Sequence, residues 1–308
     1  MPRIPVGDVL EAIVQWLTTH AGALFDTIAT VLLALVDAVY IALASPIQYV
    51  LIAILALIAA AATRRAGMVV FTVVAFLLVD GMDLWTDMLQ TLAVVLVAAT
   101  IAVAIGVPVG IAGATNTRTS RILRPLLDFM QTLPVFVYLV PAVFFFGIGV
   151  VPGVVATTVF AIPPAVRLTE LGIRQVDPET VEAAHAFGAQ PAQILREVQI
   201  PLATRSIMAG VNQVIMLALS MVVVAGLVGA EGLGMSVIQG VTQLNIGAAF
   251  EGGIAVVILA IYLDRITNAL GAPRKRLRGR ARATGATADT DSETQAEPER
   301  QPAEARSA

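Results

Sequence analysis

Between Glu170 and Leu202 the chain sets out acids, alanines, a glycine and prolines at spacings that suit mechanical docking rather than bond-making. Glu182-Ala183-Ala184 is followed by Gly188 and then by Val198-Gln199-Ile200-Pro201. Asp177 ahead of Pro178 reads as an N-cap with a first-turn proline, and Glu179 and Glu182 place negative charge near the positive end of the helix that starts there. Gly188 stands where a left-handed residue would end that helix. Pro191 can open a second short helix, and Pro201 closes the segment before the next apolar run. Ala183, Ala184, Ala186 and Ala189 make a face small enough for another protein to come close, and the same pattern suits a loop packed beneath its own helices.

Other chemistries have no residue set. With no cysteine, neither a disulfide framework nor a thiolate metal site is available, and the two histidines, His20 and His185, lie far apart without a carboxylate cluster at metal-ligand spacing. No Gly-x-x-x-x-Gly-Lys-Ser/Thr phosphate loop occurs, and the glycines from Gly226 to Gly234 enclose no lysine, so they read as a turn. No Ser-His-Asp set, paired catalytic carboxylates or basic aromatic surface points to hydrolysis or to nucleic-acid binding. The reading is of no catalytic residue, no metal and no cofactor in this chain.

The elements that must position the loop are membrane helices. At 57% hydrophobic and 13% charged residues, with a mean hydropathy of +0.85, the chain carries more apolar surface than a soluble domain can bury. A bilayer core of roughly 30 Å takes about 20 apolar residues as helix. Seven runs qualify as candidates: Ile47–Ala62, Met68–Val79, Met88–Gly113, Phe129–Phe146, Val151–Val166, Ser206–Ala230 and Gly252–Leu263. Gly147-Ile148-Gly149 with Pro152-Gly153 supplies the turn between the fourth and fifth. Arginines at 64, 65, 118, 121, 124, 167, 174, 196 and 205, and the basic run from Arg274 to Arg282, fall at alternate loops, while Asp80, Asp83, Glu231 and Glu251 mark the others. The positive-inside rule then puts the N-terminus outside and the C-terminus, with the Glu170–Leu202 loop, in the cytoplasm. Met1 to Pro5 has none of the features of a cleaved signal peptide, so insertion relies on the internal spans.

The two ends differ from the bundle. Asp8, Glu11, Gln15, Thr18, Asp26, Thr30 and Asp37 recur close to one stripe, which predicts a long amphipathic helix, broken near Gly22, in the outer interface. An eighth span over Ala23–Ala44 is the competing reading, at the cost of aspartates in hydrocarbon. Beyond Pro273 a basic run precedes an acidic, polar stretch whose composition predicts disorder. Inside the spans, Asn212, Gln213, Met216 and Ser220 stand out, and Asn212, Met216 and Ser220 share a face at four-residue steps. That face borders a translocation path or serves interhelical hydrogen bonding. Tyr138, with Phe136 and Phe129, offers an aromatic face to a quaternary ammonium or simply faces lipid and core. Gly106 and Gly110 permit close helix approach.

The spacing of Glu182-Ala183-Ala184, Gly188 and Val198-Gln199-Ile200-Pro201 resembles the EAA loop of the membrane subunits of bacterial ABC importers, with Val198 and Ile200 where Ile and Leu are usual. Arg124 to Pro141, Phe146 to Val155 and Ile207 to Val223 are similar, more specifically, to the permeases of glycine betaine/proline importers. The likeness covers roughly Met88 to Arg265, with weaker similarity ahead of it and none after Pro273. The resemblance implies an all-α, polytopic type I importer permease of about seven transmembrane helices with an N-terminal amphipathic helix. Residues 1–45 would form that helix, 46–85 two accessory spans, 86–272 the permease core with its cytoplasmic loop 168–203, and 273–308 the tail. It further implies that Glu182, Ala183, Ala184, Gly188, Val198, Ile200 and Pro201 form a coupling element. The implied assembly pairs a second permease copy with two cytoplasmic ATP-binding subunits and an extracytoplasmic solute-binding protein, in a bacterial inner or plasma membrane, for uptake of compatible solutes under osmotic stress. Another small polar solute, or ATP-independent secondary transport, are the alternatives; the second would need a coupling-ion site near the midplane, for which neither a carboxylate chain nor an inverted repeat is visible.

Overall fold

The computed structural model describes residues 6–271, with side chains from residue 11 onward. The expectations for the basic run and the acidic tail lie outside the described residues. Within them every element is helical: α1 (Val6–Ala44), α2 (Gln48–Thr63), α3 (Ala66–Gly81), α4 (Trp85–Thr115), α5 (Thr117–Thr132), α6 (Phe136–Phe146), α7 (Val150–Arg174), α8 (Pro178–Ala186), α9 (Pro191–Gln193), a π-helical turn (Ile194–Gln199), α10 (Ile200–Gly226), α11 (Leu233–Thr242) and α12 (Ile246–Gly271). Among the described residues five helical stretches are long and apolar enough to cross a membrane: Glu11–Ala44, Trp85–Thr115, Val150–Arg174, Pro191–Gly226 and Ile246–Gly271. The bent pair α5–α6 makes a sixth if counted as one broken span, and α2, α3 and α11 are shorter apolar helices.

The bundle is built around α7, which packs against α4 on one side and α10 on the other. Lipid gives apolar side chains no reason to leave it, so helices in a bilayer associate through close van der Waals packing of small residues. The glycines supply this. A Cβ added at Gly106 would come within 2.5 Å of Ala165 Cβ, and one at Gly110 within 2.6 Å of both Thr169 Cβ and the Val166 carbonyl. On the opposite face of α7, a Cβ at Gly172 would meet Ser206 Cβ at 2.5 Å. Around this triad, α2, α3 and α12 complete the main core, where Phe76 meets Tyr262 edge-on at 5.1 Å. The Tyr262 hydroxyl donates to the Leu55 carbonyl at 3.0 Å, tying α12 to α2.

Several sequence expectations change. Helix α1 runs unbroken through Gly22, since nothing there removes a backbone hydrogen bond. It drapes across α4, the start of α7 and α6, with Val36 against Ala93, Val94 and Val154, and Phe25 stacked on Phe145 at 4.6 Å. The run Phe129–Phe146 is not one straight span: α5 and α6 meet at 90°. Pro134 explains the corner, because a residue before proline is pushed out of the helical region and Leu133 is extended at ψ 135°. The Arg118–Arg124 segment is thus helix α5, not a loop. Nor does Pro201 end a segment. The π-helical turn just ahead of it absorbs the hydrogen bond that proline cannot donate, and the helix continues to Gly226.

Gly110→Val should lower stability by about 2–3 kcal/mol through overpacking against α7. Gly67, which has nothing within 4 Å of an added Cβ, should tolerate alanine without loss. Thermal unfolding of the detergent-purified protein checks both.

Candidate functional site

The 168–203 segment folds as its residue types demand. The Asp177 carboxylate accepts from the Glu179 amide at 3.0 Å, and Pro178 occupies the first turn of α8. At the other end Gly188 adopts φ +81°, the Phe187 amide donates to the Ala183 carbonyl at 3.1 Å, and the Ala189 amide donates to the Ala184 carbonyl at 3.1 Å. A left-handed C-terminal residue of this kind favours glycine. The Gln190 amide then donates to the Gln193 side chain at 2.9 Å, closing a capping box behind Pro191.

No residue of α8 is buried. Glu182, Ala183, Gly188 and Pro201 are exposed, while Ala184, Val198 and Ile200 are half-buried. Ile194 is buried, and Val181, His185 and Leu195 with Ile173, Arg174 and Ala114 line a cleft of about 470 Å³ between the loop and the ends of α4 and α7. The loop therefore has an inward face resting on the bundle and an outward face of small residues. It ends in Phe187, which is 92% exposed. Phe187 therefore sets a large apolar ring on the outer surface of a polar loop. The sequence reading missed it, although its position directly before the turn glycine was visible.

Arg174, the last residue of α7, ties the root of the loop to the bundle. Its guanidinium donates to the Gly113 carbonyl of α4 at 2.8 Å and lies 3.3 Å from the Glu170 carboxylate. Glu170 itself is buried, accepts from the Ser120 hydroxyl at 2.6 Å, and has Arg124 at 3.6 Å. Sequence spacing placed Glu170 only at the edge of the polar loop.

The candidate path residues do not form one cluster. Asn212 turns toward α12, where its amide donates to Asp264 at 2.9 Å, and Asn268 donates to the same carboxylate at 2.8 Å. Asp264 thus holds two side-chain amides at once. Asp128 pairs with Arg167 of α7. Gln213, Met216 and Ser220 lie on an exposed stripe of α10, with the Ser220 hydroxyl donating to the Met216 carbonyl at 3.0 Å. Tyr138 sits apart, edge-on to Phe160 at 6.0 Å, its hydroxyl donating to the Met130 carbonyl across the α5–α6 corner. At the opposite end, the Leu233 amide donates to Thr91 at 2.9 Å and the Gln90 amide to Glu231 at 2.7 Å, fastening α11 to α4. No group of metal-ligating side chains occurs among the described residues.

Residues 106–276 match the family described as binding-protein-dependent transport system inner membrane component. The chain is 50% identical over 275 residues to the glycine betaine transport system permease protein OpuAB of Bacillus subtilis, covering 89% of this chain and 97% of that one. It is 45% identical over 271 residues to the glycine betaine/proline betaine transport system permease protein ProW of Escherichia coli, covering 87% of this chain and 75% of that one. Among solved structures, an inward-facing MetNI methionine ABC transporter aligns with a TM-score of 0.55 at 24% identity, over 59% of this chain and 91% of that one. This last likeness concerns the fold.

Removing the α8 cap by Asp177→Ala should cost about 1 kcal/mol of local helix stability. Amide hydrogen exchange over residues 178–186 should accelerate accordingly, with α4 and α7 unaffected.

Proposed function

Because this chain belongs to the binding-protein-dependent transport system inner membrane components, we propose that it is the membrane subunit through which an ATP-driven importer takes up glycine betaine or a closely related quaternary ammonium solute. The observation that carries the cargo is the 50% identity, across 97% of its length, to a glycine betaine permease. The protein is a multi-pass membrane transport component with the ABC importer permease fold.

Energy enters from ATP-binding subunits, two per transporter, that dock on the 168–203 loop from the cytoplasm. Glu182, Ala183, Ala184 and Gly188 form the docking face. Val198, Ile200 and Pro201 carry its motion into α10, with which they are continuous. The exposed, capped α8 and the protruding Phe187 support this reading: a short helix with small residues and one aromatic anchor fits a groove. The C-terminus lies on the same side and the N-terminus outside, in agreement with the arginine bias. A solute-binding protein delivers cargo to the outer face.

Two copies of the chain enclose the path. Gln213, Met216 and Ser220 support this, since polar groups on the exposed face of a membrane helix are costly against lipid and belong against protein or water. Asn212 contributes by fixing α10 to α12 through Asp264. Tyr138 contributes by holding the α5–α6 corner.

Proteoliposomes containing the complete transporter and its binding protein should accumulate labelled glycine betaine only with internal ATP. Uptake by this chain alone without ATP would overturn the reading. Phe187→Ala should weaken docking of the ATP-binding subunit by about 2 kcal/mol, the usual loss at an aromatic anchor, as read by titration of that subunit onto the purified permease. Gly188→Leu should abolish uptake with the permease still inserted. Ser220→Cys, in a chain with no other cysteine, should react with a water-soluble thiol reagent in at least one transport state; labelling in none would remove Ser220 from the path.

A further inference from the structure

Helix α5 is attached to the bundle in an inverted way. Its apolar residues Ile122, Leu126 and Phe129 point outward, 70%, 51% and 60% exposed. Leu127 is buried and Leu123 half-buried, but the remaining contacts inward are polar. Ser120 donates to Glu170 of α7, Arg124 lies 3.6 Å from the same carboxylate, and Asp128 pairs with Arg167. Residues 120, 124 and 128 follow one face of α5, and 167 and 170 follow one face of α7. Glu170 is also held by Arg174, whose second contact is the last turn of α4. Two cations thus converge on one buried carboxylate. Removing one partner of such a group leaves charge uncompensated, whereas the complete set is directional and rigid.

The positions of these contacts matter. Arg174 is followed within three residues by Asp177, the cap of α8, so Glu170 stands on the short chain path from α8 into α7, alongside the path through the π-helical turn into α10. At the far end of α5 the 90° corner leads into α6, and the Tyr138 hydroxyl, bonded back to Met130, holds that corner. Beyond these contacts α6 meets α7 through apolar packing, Leu139 and Ala142 sharing a core cluster with Ala156. The polar, directional route from the loop to the elbow runs through Glu170 and Arg167 into α5.

We infer that the α5–α7 polar contacts, centred on Glu170, are a transmission latch that turns displacement of the coupling loop into rotation of the α5–α6 elbow. Glu170, Arg167 and Asp128 are positioning residues that act through α5, and none touches the solute. The inference rests on the reading that the loop docks on ATP-binding subunits.

The test uses the complete transporter with its binding protein in proteoliposomes. Glu170→Gln keeps the shape of the side chain and its partner Ser120 but removes the charge facing Arg124 and Arg174. ATP hydrolysis should continue within about twofold of the parent while uptake falls, so that ATP consumed per solute rises about tenfold, in the range of ordinary site-to-site coupling. Asp128→Arg and Arg167→Asp should each impair uptake, and the combined swap should restore it, since the pair can form in reverse. An unchanged ATP-to-solute ratio in Glu170→Gln, or a swap no better than its single parents, overturns the latch. If Glu170→Gln fails to assemble, the more exposed swap pair decides alone. A cysteine at Ala183, cross-linked to the ATP-binding subunit, separates the two readings. No cross-link in the otherwise unaltered transporter overturns docking and the latch with it; a cross-link present while the ratio stays unchanged overturns the latch only.

Discussion

Close backbone packing of α7 against α4 and α10 is the constraint on which the rest of this structure depends. In lipid the apolar side chains of these helices are equally well solvated by acyl chains, so the triad is held by contact area that only small residues allow. Gly106 and Gly110 let α4 meet Ala165, Val166 and Thr169, and Gly172 and Gly210 let α10 meet the opposite side of the same helix. A helix gripped on both faces along its length moves as a rigid body. Its two ends are then the places where motion can enter or leave, and the end at Arg174 is where the polar loop begins.

Prolines show how the same residue is handled differently by context. Pro163 and Pro164 sit inside α7 and Pro108 inside α4 without ending either helix. Pro134 produces a right-angled corner, while Pro201 is accommodated by a single π-helical turn. In a bilayer every backbone group freed by a proline must find a partner, so each solution depends on what packs beside it. Periodicity and turn signals cannot supply that neighbour. This is why the sequence reading ended a segment at Pro201 and drew one span from Phe129 to Phe146.

Elements whose information is local were legible. The Asp177-Pro178 start, the left-handed Gly188 and the Pro191 opening are set by side chains acting on their own backbone within a few residues, and the structure has each of them. The glycine turn at 147–149 belongs to the same class, and the close approach at Gly106 and Gly110 was legible from their small-residue spacing although its partner helix α7 was not. What escaped depends on partners distant in sequence. Asn212 finds Asp264, Asp128 finds Arg167, and Glu170 finds Ser120 from fifty residues away. Shared-face spacing placed Asn212 beside Met216 and Ser220, but a carboxylate on α12 turned its amide the other way. Helix α11 was missed because it is a short apolar helix folded back behind Gly232, whose φ of +114° has no periodic signature.

Charge is distributed in a way that separates anchoring from motion. At the N-terminal end of α4, Thr91 binds the first residue of α11 and Gln90 binds Glu231 just ahead of it, through neutral or singly charged contacts that fix one geometry. At the opposite end, beside the loop, Glu170 and Arg167 bind α5 through ion pairs, which tolerate reorientation better than packed apolar surface because Coulomb attraction falls off gradually with distance while dispersion contact does not. Much of the apolar surface of α5 (Ile122, Leu126 and Phe129) faces away from the bundle, so a shift of α5 disturbs only the inward packing of Leu127 and Leu123. If the elbow moves while the triad stays intact, as the latch requires, polar joints at the elbow and glycine contacts in the triad serve better than the reverse. Burying a carboxylate for that purpose carries a desolvation cost, and the convergence of Ser120, Arg124 and Arg174 on Glu170 offsets it.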